Sequence, residues 1–128
     1  MNSIITHGIE ISVNARYYAP QSDPKDNLFF FVYEITISNK SEFTVQLLKR
    51  HWYITDAYGK CREIEGDGVV GETPTLEPGE SFYYNSGCDF PTEIGKMNGF
   101  YTMKKLVDQS EFSVIIPTFS LILPARLN

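Results

Sequence analysis

The sequence predicts an all-β fold, an antiparallel β-sandwich of about seven strands built from one domain spanning residues 1–128. Three observations predict it. Apolar residues alternate with polar ones over most of the chain, as in Ile9-Glu10-Ile11-Ser12-Val13-Asn14-Ala15-Arg16-Tyr17, and period two is the signature of a strand with one buried face. Clusters of Gly, Pro, Asn and Asp break that alternation at short intervals, as turns between strands require. No segment carries apolar residues at the helical spacing of 3.6.

The elements follow in order. Residues 9–17 form the first strand, and residues 19–27, with two prolines and two aspartates, form a loop. Residues 28–39 are a long strand in which Phe29, Phe31, Tyr33, Ile35 and Ile37 share one face. Leu28, Phe30 and Val32 make the start of its second face apolar too, so a loop or neighbour should cover it there. After a turn at Asn39-Lys40-Ser41, residues 45–56 form a strand with Leu48, Trp52 and Ile54 expected to point inward and Arg50 on the same side. Asp56-Ala57-Tyr58-Gly59 has the residues of a hairpin turn, after which residues 61–65 run back. A Pro-Gly turn in "LEPGE" (76–80) precedes a strand at 81–88; residues 99–105 and 111–116 complete the set. Phe112, Val114 and Ile116 are even-numbered, whereas Phe119 and Leu121 are odd. One extra residue near Pro117-Thr118 restores the inward direction, which predicts a bulge or bend there. About seven strands joined by turns give a sandwich of immunoglobulin or fibronectin type III character, with Trp52 as its core aromatic.

Composition narrows the function. A chain of 128 residues with 42% apolar residues can bury a core unaided. Its formal charge of −5 opposes broad attraction to nucleic acid or anionic lipid, so neither is expected as a partner. The N-terminus lacks a basic head and a long apolar run, and no apolar stretch approaches the ~20 residues of a membrane span. Cys61 and Cys88 form no C-x-x-C pair and are expected as thiols in a reducing cytoplasm.

"GDGVVG", comprising Gly66, Asp67, Gly68, Val69, Val70 and Gly71, has the Gly-x-Gly-x-x-Gly spacing of dinucleotide sites. Such a site needs a helix N-terminus after the glycines to meet the pyrophosphate. Here "ETPTLEPG" follows, and its prolines forbid a useful helix. Glu63, Glu65, Asp67, Glu72 and Glu77 surround the glycines, the wrong sign for a phosphate. The glycines instead suit a connection crossing the end of the sandwich. Val69 and Val70 either tuck into the core or are displayed to a partner.

Other chemistry is thin. Glu63, Glu65 and Asp67 alternate on one strand face and could meet a hard cation, although a solvated edge-protecting face is the simpler reading. His7 and His51 lack a neighbouring nucleophile motif. No catalytic residue, cofactor site or metal site is therefore read, and the chain is expected not to be an enzyme.

The stretches "LLKRHWYITDAYGK" (47–60), "GDGVVGETPTLEPGESFYYNSGCDF" (66–90), "GKMNGFYTM" (95–103) and "FSVIIPTFSL" (112–121) resemble the ApaG family, nearly end to end and in its order. That resemblance implies a fibronectin type III-like sandwich and a small, free-standing bacterial protein. Related domains occur in eukaryotic F-box proteins and in a polymerase-δ-interacting protein, where they serve recognition. The family name reflects genetic neighbourhood with a dinucleoside tetraphosphate hydrolase, and a link to cobalt and magnesium resistance has been proposed. Gly66, Gly68 and Gly71 match the family's Gly-x-Gly-x-x-Gly, and no catalytic residues come with the resemblance.

The expectation is a non-enzymatic protein-interaction module that meets an unknown protein partner through residues 66–71. An open sheet edge would also allow two copies to pair. The alternatives are a nucleotide or pyrophosphate sensor using the same loop, and a divalent-cation homeostasis factor.

Overall fold

In the computed structural model, which describes residues 2–124, nine strands follow one another; the ends of the 1–128 span lie outside the described residues. They are β1 (Asn2–Thr6), β2 (Ile9–Tyr17), β3 (Phe29–Asn39), β4 (Val45–Asp56), β5 (Cys61–Asp67), β6 (Thr75–Leu76), β7 (Ser81–Phe90), β8 (Ile94–Lys105) and β9 (Glu111–Ile122). Seven of them are the expected ones, with β8 beginning at Ile94 rather than Gly99. The short β1 and β6 are additions. All pairings are antiparallel, and they build two sheets, β1-β2-β3-β7 and β5-β4-β8-β9, with β6 joining the outer side of β4.

The alternating pattern decides which faces meet. Ile9, Ile11 and Val13 of β2, Phe29, Phe31, Tyr33, Ile35 and Ile37 of β3, and Val114, Ile116, Phe119 and Leu121 of β9 are all buried. Each fully buried large aliphatic or aromatic side chain contributes roughly 1.5–3 kcal/mol. Trp52 fills the centre, its ring 5.5 Å from Tyr33 and 6.0 Å from Phe119. Near the start of β3 the outer face is covered at Phe30, whereas Leu28, just before the strand, stays exposed. A single 3-10 turn (Ala19–Gln21) packs there, Tyr18 meets the Phe30 ring edge-on, and Ser22 accepts the Phe30 N–H.

Two bulges tune the second sheet. Met97 pairs with Phe119 and Gly99 with Ile116, so β9 carries one extra residue across Pro117-Thr118, where the phase slip of the sequence predicts it. The other lies in β4, where Leu47 pairs with Met103 but Lys49 with Thr102. It corrects the expected inward position of Leu48: Val45 and Leu47 are buried, and Leu48 is only half-buried. The bulge absorbs one residue, so Arg50, Trp52 and Ile54 recover the inward direction.

The turns are built as their residues require. Gly59 N–H donates to the Asp56 carbonyl at 3.0 Å, while the Asp56 carboxylate accepts from Tyr58 and Lys60. At the end of β3, Asn39 is fully buried yet satisfied. Its amide donates to the Phe43 and Leu76 carbonyls, and its side-chain oxygen accepts from the Ser41 backbone and hydroxyl. One buried side chain thus ties β3 to β6.

The two sides of the sandwich differ. On one, β1 and β2 lie against β9, and the Asn2 amide and Thr6 hydroxyl bond the β9 backbone. On the other, β5 and β7 are the outermost long strands, and among the described residues no ladder joins them. The glycine segment lies on that open side.

Candidate functional site

Residues 66–71 do not form one loop. Gly66 and Asp67 end β5, opposite Arg50 and Lys49 of β4. The chain then leaves the edge of β4 and returns to it at β6, where Thr75 and Leu76 pair with Gln46 and Val45. The excursion starts beside the β4 bulge, since the Gly68 N–H donates to the Leu48 carbonyl at 2.8 Å. It ends where the Leu47 N–H meets the Pro74 carbonyl at 3.0 Å.

Arg50 organises the excursion. Its Nη1 donates to the carbonyls of Asp67 and Gly68, each at 3.0 Å. The guanidinium lies flat against Gly66: a Cβ at that position would stand 2.7 Å from Nη2 and 2.8 Å from Cζ. Gly66 is therefore glycine because Arg50 occupies the space a side chain needs. At Gly68 a Cβ would run into the Glu72 carbonyl oxygen. Two of the three glycines are explained by close approach of protein atoms, with no ligand required.

This geometry faces away from phosphate chemistry. A phosphate nest presents free backbone N–H groups to an anion. Here the Gly68 N–H is used by Leu48, the Val69 N–H by the Glu72 carbonyl, and the Glu72 N–H by the Val69 carbonyl. The loop turns carbonyls toward a cation instead, and the chain beyond Gly71 leads into the two-residue β6 rather than a helix.

The reciprocal bonds between Val69 and Glu72 close a four-residue turn with Val70 and Gly71 at its tip. Both tip residues have positive φ, 43° at Val70 and 80° at Gly71. That is the backbone of a primed hairpin turn, for which Asn-Gly is the preferred pair. A β-branched residue there is a genuine conformational outlier. The two valines part company: Val69 is 1% exposed within the core, whereas Val70 is 55% exposed. Burial holds for Val69 and exposure for Val70. The result is an apolar side chain held outward on a turn that Val69 and Arg50 anchor from behind.

The carboxylates of β5 share the outer face, as alternation requires. His51 of β4 stands between two of them, with Nε2 3.1 Å from Glu63 and Nδ1 2.7 Å from Glu65. Its ring stacks on Phe100 at 4.9 Å. Lys49 pairs across the ladder with Asp67. The side chain nearest these carboxylates is thus a potential cation from the neighbouring strand, and the recorded partners of His51 are carboxylates rather than a nucleophile. His7 forms the turn between β1 and β2, edge-on to Phe112 at 5.7 Å. Cys61 and Cys88 are free thiols, the first exposed and the second buried. Burial pushes the Cys88 thiol above its ordinary value, against the opposing pull of Arg62.

Sequence reasoning left Arg50 as an unexplained cation on an inward face. The signal that finds it is hairpin arithmetic. The turn at 56–59 sets Thr55 opposite Cys61, and counting back along both strands brings Arg50 opposite Gly66. A long cation facing a residue without a side chain is a packing instruction.

Comparison with known proteins places this arrangement in a family. Residues 19–105 match the family described as ApaG domain. Proteins named ApaG from Brucella anthropi and Brucella canis are 51% and 48% identical over 126 residues, covering 98% of this chain and 96% of theirs. The crystal structure of a protein named ApaA from Bordetella pertussis superimposes with a TM-score of 0.87 at 41% identity, covering 91% of this chain and 94% of that one. A second crystal structure, at 43% identity, gives a TM-score of 0.85 over 91% of this chain and 88% of the other. With the family matched over most of its length and its relatives over nearly all of it, the chain belongs to the ApaG domain family.

Proposed function

We propose that this chain is a non-enzymatic recognition module of the cytoplasm that contacts a partner protein through the turn at residues 69–72. The observation that carries the reading is Val70. A β-branched residue at a φ of 43° costs on the order of 1–3 kcal/mol relative to a relaxed backbone, and at 55% exposure it recovers little of that by packing. Asparagine or glycine would relieve the cost without touching the core. An apolar side chain retained at such a position serves something outside the fold, and exposed apolar anchors on rigid supports are what partner proteins bury. Ile64 on β5 is also exposed and lines the same cleft as Val70, so Val70 has apolar company for an interface.

The test is photo-crosslinking. A diazirine amino acid at position 70 should capture one discrete partner in the native cytoplasm, whereas the same probe at exposed Val107 on the 105–110 turn should not. Competition by excess unlabelled wild-type protein should erase the adduct, and competition by excess Val70→Asn should not. Equal labelling from both positions, or equal competition by both proteins, would sink the proposal.

A further inference from the structure

The open side of the sandwich leads inward to a cavity of about 260 Å³ between β5 and β7. Its walls are apolar, with Trp52, Ile54 and Met97 in the interior and Ile64 at the mouth. Tyr33, Tyr84 and Arg50 also line it. The Tyr84 hydroxyl is bonded to that of Tyr101 deep in the core, and Ser86 stands opposite Tyr33 across the ladder. Arg50 is close enough to both cavity tyrosines that its charge eases the upward push which burial exerts on their hydroxyls. Further along the two strands Arg62 spans from β5 to β7, donating to the Asp89 carbonyl at 2.6 Å and to the sulfur of Cys88, itself a lining residue, at 3.3 Å.

Arg50 is only half committed. Both of its bonds to the glycine loop leave from Nη1, and no acceptor is recorded for Nη2 or Nε among the described residues. A planar guanidinium with an open edge, set at the polar end of an apolar cavity, has the geometry that receives a carboxylate. The acidic side chains Glu63, Glu65 and Asp67 do not compete, because alternation puts them on the opposite face of β5. Few convergent polar groups in an otherwise apolar concavity are the general mark of a small-ligand site.

We infer that the cleft between β5 and β7 binds a carboxylate bearing a compact aromatic or branched aliphatic group, with the carboxylate on the open edge of Arg50 and the apolar body against Trp52, Ile54 and Met97. At roughly 30 Å³ per water-sized group, the cavity takes about nine non-hydrogen atoms. Benzoate is that size. The same chemistry is offered by a free organic acid and by the C-terminal residue of a polypeptide, for which the unpaired outer edge of β7 offers backbone groups at the mouth. Val69 and Val70 also line this cleft, so the site adjoins the turn. The two readings are told apart by their tests, ligand-induced shifts at Arg50, Tyr33 and Tyr84 for the cleft and protein capture at position 70 for the turn.

The test is NMR titration of the whole chain with benzoate, with its neutral isostere benzamide, and with a short peptide ending in phenylalanine. Benzoate should shift the side-chain resonances of Arg50, Tyr33 and Tyr84, and benzamide should bind roughly tenfold more weakly because it lacks the charge-assisted bonds. Tighter binding by the peptide than by benzoate would identify the ligand as a chain terminus, and the reverse order as a free acid. Ile64→Trp, at the partly exposed mouth, should block binding while leaving the core spectrum intact. Arg50→Lys should weaken benzoate and leave benzamide unchanged. Absence of shifts at about 10 mM benzoate, far above a weak millimolar Kd, would overturn the inference. So would equal binding of benzamide, or unaltered binding in Ile64→Trp.

Discussion

Arg50 and Gly66 face each other across the β4–β5 ladder, and the guanidinium of one fills the space where the side chain of the other would be. The Gly-x-Gly-x-x-Gly spacing that invites comparison with nucleotide sites thus begins with a packing requirement. Its second glycine admits a backbone carbonyl, and its third takes the left-handed half of a tight turn.

That relationship is testable by a double-mutant cycle. Gly66→Ala should cost about 1–3 kcal/mol, because the methyl group overpacks against the guanidinium. Arg50→Ala should cost about 1–3 kcal/mol by removing the donor shared by the Asp67 and Gly68 carbonyls. With Arg50 gone, however, an alanine at 66 meets open space. The double variant should therefore be at least ~1 kcal/mol more stable than the sum of the single effects requires. Urea unfolding of the four proteins measures it, and strict additivity would refute the packing explanation.

The bulge in β4 separates two adjacent leucines. Leu47 is fully buried, so Leu47→Ala should cost about 2–5 kcal/mol. Leu48 occupies the extra, half-exposed position, and Leu48→Ala should cost less than about 1 kcal/mol. Thermal melts of the two variants check this, and a reversed order would restore the alternation that an unbulged strand implies.

How much was legible follows from these same residues. Strands with one buried face declared themselves by alternation, and the β9 bulge showed because its apolar phase visibly slips at Pro117-Thr118. The β4 bulge was hidden: Leu47 and Leu48 are both apolar, so the slip leaves no polar residue out of place. Strand β1 was missed because its side chains are nearly all exposed, which leaves no pattern to read. In β6 only Leu76 is buried, and two residues make no period. At the candidate site the sequence marked the segment but not its division, because whether Val69 or Val70 faces inward depends on a turn whose backbone valine disfavours. Arg50 needed the ladder register before its role could be seen.

Alkaline pH should expose the buried tyrosines. Burial raises the hydroxyls of Tyr33, Tyr84 and Tyr101 above the ordinary value of 10.0, so above that pH the unfolded chain releases protons that the folded chain retains. Their contribution is complete below about pH 10 and is lost as pH climbs toward the raised folded values. Each such group lowers stability by about 1.4 kcal/mol per pH unit in that range. Urea midpoints should stay level from neutral pH to about 9, where the raised Cys88 thiol begins to add to the loss, and fall beyond 10. Tyr101→Phe should show the shallower fall, and identical slopes in both proteins would contradict this assignment.

The central claim is that position 70 is held for display at the expense of the fold, and urea unfolding of Val70→Asn tests it most directly. Asparagine followed by Gly71 is the pair that this turn prefers, and no core contact is removed. The expected result is a gain of about 1 kcal/mol with an unchanged m-value. A loss of stability would mean that Val70 supports the sandwich itself, and the recognition reading would fall with it.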